Sequence, residues 1–334
     1  MNLSVIICTY NRCETLAMAL ESIAASVLPA SVAWEVLVLD NNSNDGTPDV
    51  VKDFCGRYPG RFRYVFEPQP GKSYALNAGI RQARGDVLAF VDDDVTVEPT
   101  WLRNLTAPLL GGSEWAGAGG RTRPDQFESI PSWLALDGPH SLGGVVAALF
   151  DLGDAPGELD RPPYGANMAF RKKMFETYGG FRLDLGPSPC KDVLRPNEDT
   201  EFGRRLMAAG ERLQYVPSAV VYHPVSGDRI QKQYLLAWWF DYGRAVIREV
   251  GRRRDIWRLP RRYFTIPKTV ATTLTRRTLQ WIFALDPQRR FFCKCSVWMT
   301  AGQIWEIHHR WRGDQVKSNG ARRSSAPDGP ARID

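Results

Sequence analysis

Three consecutive carboxylates, Asp92, Asp93 and Asp94, directly follow the apolar run Val87–Val91. Neighbouring carboxylates repel one another and an unpaired buried charge is costly, so a positive partner is expected beside them. The D-x-D spacing in a loop after a strand suits a hard divalent cation, Mg²⁺ or Mn²⁺. A solvated acidic turn is the alternative. The preceding apolar strand favours the metal site, because it holds the loop in one place.

Asp40 ends a second apolar run, Glu35–Leu39, in the same way. A carboxylate at such a strand end can accept a hydrogen bond from a nucleobase N–H or a ribose hydroxyl. The alternative is a turn residue, since residues 40–46 are dense in Asn, Asp and Gly. The pattern alone does not separate the two.

The residues around these aspartates alternate between strand and helix patterns. The pattern predicts strands over 4–8, 35–39, 63–66 and 87–91, helices over 12–25 and 73–83, and a further helix with Thr47 as N-cap and Pro48 at N1. This alternation predicts a doubly wound, mostly parallel sheet. Ligands of such sheets bind at the carboxyl ends of the strands, where Asp40 and the triplet fall.

The rest of the chain changes character twice. Residues 111–195 are rich in Gly and Pro, and they are followed by a predicted helix over 198–209, predicted strands over 213–215 and 219–222, and His223. Residues 231–311 have a helical pattern crowded with Arg and Trp. The Gly, Ser, Pro and Arg content of the last residues predicts disorder.

Composition bounds the class of protein. The chain has 334 residues, 43% of them hydrophobic, which permits a sizeable core in one large domain or two moderate ones. Six cysteines without a C-x-x-C pair, and no signal-peptide pattern at Met1, predict a reduced, cytosolic compartment. The longest apolar run, Leu279–Leu285, is shorter than the ~18 residues of a spanning helix.

The charge is divided unevenly. From Ser226 onward there are 22 Lys and Arg against 9 Asp and Glu, a balance of +13, whereas the first 225 residues balance at −7. Seven of the eleven tryptophans lie between 231 and 311. Basic surfaces with Trp suit an anionic membrane. A helical packing domain with a solvated basic face is the alternative, and no recognised nucleic-acid motif supports a nucleic-acid partner.

Seven segments together resemble the family-2 glycosyltransferases. They occur in that family's order and cover about two thirds of the chain: SVIICTYNR (4–12), VLVLDNNSNDGT (36–47), GKSYALNAGI (71–80), FVDDD (90–94), GANMAFRK (165–172), GGF (179–181) and NEDTEFGRRL (197–206). The resemblance implies a GT-A fold. It assigns residues 1–225 to the glycosyltransferase domain, with a nucleotide-binding half (1–110) and an acceptor half (111–225). A helical, membrane-associating module (226–312) and a disordered tail (313–334) would follow.

The resemblance also implies roles for the donor pocket. Thr9 and Tyr10 would line the base and ribose pocket, and Asp40 would hydrogen-bond the base. Lys72 and Asn77 would border the nucleotide sugar.

A second group would hold the metal and the sugar. Asp94 would be the main metal ligand, and Asp92 would reach the ribose or the metal. Asp93 is placed with the substrate-binding residues, although many relatives carry a small residue here and its side chain could face the site or solvent. Asn167 could bond a sugar hydroxyl, or belong to a turn before a buried strand. His223 could be a third metal ligand or a structural histidine.

Glu198 and Asp199 match the family's acidic pair. In the inverting mechanism one of them takes the proton of the acceptor hydroxyl, and Asp199 is the assigned base. Carboxylates in the first helical turn also favour the helix electrostatically, and Asn197 suits an N-cap, so both interpretations are compatible.

The sequence therefore predicts a metal-dependent inverting transferase. Its donor would be a nucleotide sugar, expected to be UDP-linked, and its acceptor a lipid-linked saccharide at the anionic inner face of the membrane. The processive synthases of this family carry a Q-x-x-R-W signature and spanning helices. Neither is found in this sequence, so single-sugar transfer is expected rather than polymer extrusion. One alternative is a nucleotidyltransferase, which should show a Gly-rich, basic N-terminal loop that SVIICTYNR (4–12) lacks. The other is a non-catalytic binding protein, which should lack the acidic pair, yet Glu198 and Asp199 are both present.

Overall fold

A computed structural model describes residues 2–110, 114–125, 130–188, 197–225, 227–250, 262–263 and 266–324, with side chains as far as 309 except for 262–268. Its packing divides the chain into two compact units, Met1–Trp238 and Trp239–Asp334. The predicted boundary at 225 lies earlier, before the helix that contains Trp238.

The first unit begins with alternating strands and helices, as the pattern predicts. They are β1 (Leu3–Thr9), α1 (Cys13–Ala24), β2 (Trp34–Asp40), α2 (Thr47–Arg57), β3 (Phe62–Phe66), α3 (Lys72–Gln82) and β4 (Val87–Asp92). The N-cap of α2 is Gly46, so the predicted role of Thr47 is wrong. Asp45 instead accepts hydrogen bonds from the Thr47 amide and hydroxyl, and from the Cys13 amide at the start of α1. One aspartate thus ties together the loops after β1 and β2.

The second half of the unit is less regular. Its elements are β5 (Thr96–Val97), α4 (Trp101–Thr106), a 3-10 turn (Ala107–Leu109), β6 (Trp115–Pro124), α5 (Gly143–Ala147), β7 (Gly157–Glu158), β8 (Met168–Arg171), α6 (Lys172–Tyr178), α7 (Glu198–Ala208) and β9 (Arg212–His223). The two strands predicted over 213–215 and 219–222 are one strand, β9. Its register against β6 is interrupted by an irregularity between Gly120 and Arg121.

Nine strands of the described chain form one sheet, in the order β3-β2-β1-β4-β8-β6-β9-β5, with β7 beside β9. The pairs among β1, β2, β3 and β4 are parallel, as is β6 with β9, whereas β8 runs antiparallel to β4 and β6. Apolar residues on both faces are buried, and two separate hydrophobic clusters result. One contains α1, α2 and α4, and the other contains α3, α6 and α7, so the sheet lies between two helical layers.

The second unit contains most of α8 (Lys232–Val250), the short strands β10 (Arg262–Tyr263) and β11 (Ile266–Pro267), α9 (Lys268–Phe283) and α10 (Pro287–Ser324). Helix α10 includes 313–324, which the sequence predicts to be disordered, and 325–334 lie outside the described residues. Glu306 on α10 is buried and accepts hydrogen bonds from Arg244 and Arg248 on α8. Within the described part of the chain, no helix combines the length and the apolar character needed to cross a bilayer.

Candidate active site

The strand order brings four strand ends to one edge of the sheet. Because β8 is antiparallel to both β4 and β6, and β6 is parallel to β9, the strands β1, β4, β6 and β9 all end on the same edge. Strand β5 begins two residues after Asp94 and pairs with the end of β9, Thr96 opposite Tyr222. This pairing brings the aspartate triplet next to His223, the last residue of β9.

Asp92, Asp94 and His223 form a group that could hold a metal ion. One ligand atom from each lies within 4.8 Å of the others. Asp94 Oδ1 is buried and has no hydrogen-bond partner among the described residues, and it lies 3.7 Å from His223 Nε2. A buried oxygen without a donor is costly unless a cation or water occupies the space beside it. The set of two carboxylates and one imidazole therefore fits a divalent ion such as Mn²⁺ or Mg²⁺.

The orientation of His223 supports this fit. Its ring is buried, and Nδ1 lies 2.7 Å from the carbonyl oxygen of Pro224. A carbonyl only accepts, so Nδ1 carries the proton, and Nε2 is the nitrogen that lies 3.7 Å from Asp94 Oδ1 and 3.2 Å from the donor Arg229 Nη1. Metal-binding histidines are commonly held in this manner by a backbone carbonyl. Sequence analysis leaves open whether His223 is structural, and the geometry favours the ligand role.

Two arginines also face the triplet. Arg12 Nη1 lies 3.0 Å from Asp93 Oδ1 and 2.9 Å from Asp94 Oδ2. Arg229 lies 3.7 Å from Asp94 Oδ2, and its Nη1 donates toward His223 Nε2 at 3.2 Å. The positive partner expected from the sequence is therefore supplied in part by the protein itself.

Asp93 points inward. Its side chain is buried and forms an ion pair with Arg12. Burial raises the pKa of Asp93, Arg12 lowers it and Asp94 raises it. The net effect is a pKa of about 6. Its partner in this structure is a residue of the protein, and its placement among the substrate-binding residues stays a prediction.

Lys72 connects the metal group to the acidic pair. Its Nζ lies 2.6 Å from Asp92 Oδ1 and 3.6 Å from Glu198 Oε1. Burial lowers the pKa of Lys72, but Asp92 and Glu198 raise it more, so the net shift is upward and the ammonium stays charged. Burial opposes the ionisation of Asp92, yet Lys72 lowers its pKa. Lys72 was expected at the border of the nucleotide sugar, and here it lies between two acidic groups.

The acidic pair begins α7, and its two members differ. Glu198 is buried, and burial together with Asp199 raises its pKa from 4.5 to about 7, although Lys72 opposes the shift. Asp199 is more exposed, and its two oxygens accept hydrogen bonds of 2.6 Å from the backbone amides of Gly165 and Thr200. Asn197 occupies the N-cap position, but no cap hydrogen bond from its side chain is present.

Packed rings below the site fix α7 against the sheet. Phe202 of α7 stacks on Phe175 with ring centroids 4.3 Å apart and meets Phe170 of β8 edge-on at 5.1 Å. Phe90, two residues before Asp92 on β4, contacts Phe175 and Phe170. The acidic pair and Asp92 are therefore positioned by one aromatic cluster.

Two predicted substrate ligands, Asn167 and Asn77, form hydrogen bonds within the protein. Asn167 is buried; its Nδ2 donates to the carbonyls of Arg121 and Ala219, and its Oδ1 accepts from Trp101 Nε1. These bonds and its burial hold Asn167 within the protein, and its predicted role at a sugar hydroxyl stays a prediction. Asn77 pairs both its Nδ2 and its Oδ1 with the backbone of Phe181, at 2.8 Å each. It holds the Gly179–Phe181 segment, and its place at the border of the nucleotide sugar stays a prediction.

The predicted base pocket is only partly open. Asp40 is fully buried and accepts from the Ser43 amide and from the Tyr64 hydroxyl at 2.6 Å. Tyr64 thus contacts one oxygen of Asp40 and the Ser43 amide contacts the other. Thr9 is buried at the end of β1, whereas Tyr10 is exposed. The roles of Asp40, Thr9 and Tyr10 stay predictions.

Sequence reasoning did not assign Arg12 and Arg229. Arg12 lies within the matched segment 4–12, and the need for a cation opposite three carboxylates was a signal for it. Arg229 follows His223 in a loop without a motif, so only the three-dimensional structure places it at the site.

Comparison with known proteins places this geometry among glycosyltransferases. Residues 4–133 match the family model described as "Glycosyl transferase family 2". The chain is 30% identical over 266 residues to the succinoglycan biosynthesis protein ExoM of Rhizobium meliloti, covering 78% of this chain and 80% of that protein. It is 28% identical over 253 residues to a glucosyl-dolichyl phosphate glucuronosyltransferase of Haloferax volcanii, covering 74% and 77%.

Solved structures share the fold at lower identity. A mannosyltransferase from Pyrobaculum calidifontis, in complex with GDP-Man and Mn²⁺, superposes with a TM-score of 0.58 at 17% identity, over 91% of this chain and 87% of that one. A fragment of S. aureus TarS in complex with UDP gives 0.51 at 14% identity, over 94% and 92%. At these identities the likeness shows the fold, and it confirms the predicted GT-A architecture with C-terminal helices.

The raised pKa of Glu198 predicts a pH-dependent stability. Unfolded Glu198 ionises near pH 4.5, whereas the folded side chain keeps its proton up to about pH 7, so the folded state binds more protons in between. The free energy of unfolding should fall as the pH rises from about 5 to 8. Glu198→Gln cannot ionise, so its Tm relative to the parent should increase over this range by a few degrees, as measured by thermal unfolding.

Glu201→Gln on the same helix is the control. Glu201 pairs with Arg205 at 2.8 Å, and its loss should lower Tm at pH 8. A Tm difference for Glu198→Gln that stays constant with pH would contradict the assignment of a protonated Glu198.

Proposed function

Because the chain belongs to glycosyltransferase family 2, we propose that it transfers a sugar from a nucleoside-diphosphate sugar to a hydroxyl acceptor, with inversion at the anomeric carbon. The observation that carries this proposal is the meeting of two groups at one sheet edge. The candidate metal group, Asp92, Asp94 and His223, and the acidic pair share the ammonium of Lys72. A site for a diphosphate and a site for a base thus lie side by side.

The proposed donor is a UDP-linked sugar. The TarS fragment was solved with UDP, which supports it, while the Pyrobaculum enzyme was solved with GDP-mannose. The donor screen below therefore includes other nucleotides.

The proposed acceptor is a lipid-linked saccharide in cell-surface polysaccharide or glycolipid synthesis. The names of two relatives support it, since one acts in succinoglycan biosynthesis and another is named for a glucosyl-dolichyl phosphate. Such acceptors are held in the membrane. The protein would therefore work at the inner face of the cell membrane, as a peripheral protein whose basic second unit faces anionic lipid.

Asp92, Asp94 and His223 would hold the divalent ion, Mg²⁺ or Mn²⁺. When bound, the ion would neutralise the charge that builds up on the departing diphosphate. The lone pair of His223 Nε2 cannot serve an ion and Arg229 at once, so Arg229 would withdraw on loading. Its guanidinium, like that of Arg12, would then be available to anionic oxygens of the donor.

Asp199 is the proposed base. Its carboxylate accepts the proton of the acceptor hydroxyl while the hydroxyl oxygen bonds to the anomeric carbon and the bond to the nucleoside diphosphate breaks on the opposite side. The backbone amides of Gly165 and Thr200 fix the direction of both oxygens. Glu198 is buried against Lys72, so it is less accessible to an acceptor and suits a supporting role.

A donor screen tests the function. UDP-, GDP- and dTDP-sugars are incubated with the protein and Mn²⁺, and both hydrolysis and the rise in Tm are measured. One nucleotide class should stabilise the protein and be hydrolysed only with metal. Asp94→Ala should abolish both effects, because water replaces a fixed carboxylate ligand poorly.

The control variant is Asp53→Ala, an aspartate on the surface of α2 that pairs with Arg57. It should behave as the parent does. The function would be refuted if no nucleotide sugar of the three classes shifted Tm, and the metal role of Asp94 would be wrong if Asp94→Ala bound metal and donor as tightly as the parent.

Replacement of the base should separate binding from catalysis. Asp199→Asn should keep donor affinity near the parental value and lower the transfer rate by about 10²-fold or more, the usual scale for general base catalysis. Calorimetry gives the affinity, and single-turnover kinetics gives the rate. Glu201→Gln is again the matched variant on α7. Near-parental turnover of Asp199→Asn would move the role to Glu198.

A further inference from the structure

Four large apolar side chains are exposed together where α9 meets α10. The exposed fraction is 50% for Leu279, 57% for Ile282, 75% for Phe283 and 98% for Leu285. Leu279, Ile282 and Phe283 are spaced i, i+3 and i+4, so they share one face of the last turns of α9. Solitary exposed apolar residues are ordinary, but a contiguous group at a helix tip marks an interaction surface.

The tip is a built turn with fixed geometry. Ala284 is buried, which anchors the link. Asp286 accepts a hydrogen bond of 2.7 Å from the Arg289 amide through Oδ1, and its carbonyl accepts from the Arg290 amide at 2.8 Å. Pro287 begins α10 in the position that favours proline. Leu285, which directly precedes the capped start of α10, projects into solvent.

The residues around the tip are basic. Between 269 and 305 the sequence has one acidic residue, Asp286, and five basic ones. Asp286 caps α10, whereas Arg276, Arg289 and Arg290 are exposed on the two helices beside the tip. An apolar group flanked by arginines matches the apolar interior and the anionic headgroups of a membrane surface.

Three tryptophans of the second unit pack on neighbouring side chains, although Trp305 remains 42% exposed. Trp281 packs edge-on against Trp298 with centroids 6.2 Å apart, and Lys294 lies over both rings. Trp305 stacks on His309 at 4.8 Å and lies under Arg244. These rings hold the second unit together. The three arginines at 252–254, together with Arg261, Trp257 and Trp311, lie outside the residues whose side chains the structure describes.

From these observations we propose that the α9–α10 tip, Leu279, Ile282, Phe283 and Leu285, inserts into an anionic phospholipid bilayer, with Arg276, Arg289 and Arg290 at its headgroups. The proposal deepens the proposed function, which requires a membrane-held acceptor, by naming the surface that contacts the membrane. The run Leu279–Leu285, too short to span a bilayer, is long enough to enter one leaflet.

Cosedimentation of the full-length protein with vesicles tests the proposal. Vesicles of phosphatidylcholine alone and with phosphatidylglycerol are compared at low and high salt. Phe283→Gln/Leu285→Gln should weaken binding to anionic vesicles by about tenfold or more at both salt concentrations, because apolar contact is not screened. Arg289→Gln/Arg290→Gln should weaken binding mainly at low salt. Met18→Gln/Val27→Gln replaces two exposed apolar residues of α1 and its following loop, at 60% and 57% exposure, and should change nothing.

Three outcomes would overturn the proposal. They are parental binding by Phe283→Gln/Leu285→Gln, an equal loss in the Met18→Gln/Val27→Gln control, and a parent that sediments as a dimer without lipid and becomes monomeric only in the tip variant. The last outcome would assign the tip to a second copy of the chain. Hydrolysis of the donor in solution should be unchanged in Phe283→Gln/Leu285→Gln and in Arg289→Gln/Arg290→Gln. A protein that binds vesicles through the tip but uses no nucleotide sugar would refute the proposed function and leave this proposal standing.

Discussion

The arrangement of the site depends on the ion pairs that the ammonium of Lys72 forms with Asp92 and Glu198. At this edge of the sheet the fold gathers five carboxylates, Asp92, Asp93, Asp94, Glu198 and Asp199, and like charges this close resist burial. Lys72 forms ion pairs with Asp92 at 2.6 Å and Glu198 at 3.6 Å. Arg12 forms ion pairs with Asp93 and Asp94. The raised pKa values of Asp93 and Glu198 show that burial is only partly compensated.

This incomplete compensation has a functional meaning. A site whose carboxylates were all paired by the protein would have little affinity for a further cation, whereas Asp94 Oδ1 has no hydrogen-bond partner among the described residues, and Nε2 of His223 would become available once Arg229 moved away. The aromatic cluster beneath, from Phe90 on β4 to Phe202 on α7, supplies the rigidity that the polar edge lacks. Packing therefore sets where the charges lie, and the charges determine what can bind between them.

Local signals in the sequence were sufficient for the first half of the fold. The β-branched runs of β1 and β2 and the aspartates at the ends of β2 and β4 follow directly from period and turn chemistry, and they lie where predicted. The hydrogen bonds of Asn167 and Asn77 could not be foreseen, because their partners, Ala219 and Phe181, are distant in sequence and no local pattern shows which carbonyls an amide will meet. The same reason explains Arg229. In the second unit, the counts of Trp and Arg predicted a basic surface. Only the packing shows that Trp281 and Trp298 contact each other, whereas Leu285 and Phe283 are exposed.

The central claim is that Asp92, Asp94 and His223 hold one divalent ion at the strand ends. Pulsed electron paramagnetic resonance of the protein loaded with Mn²⁺ and a nucleoside diphosphate measures it most directly, since nitrogen bound to the metal modulates the electron spin echo. The account predicts modulation from a single imidazole, lost in His223→Gln while Mn²⁺ still binds more weakly through the carboxylates. A bound Mn²⁺ that shows no nitrogen modulation in the parent, or the same modulation after His223→Gln, would contradict it.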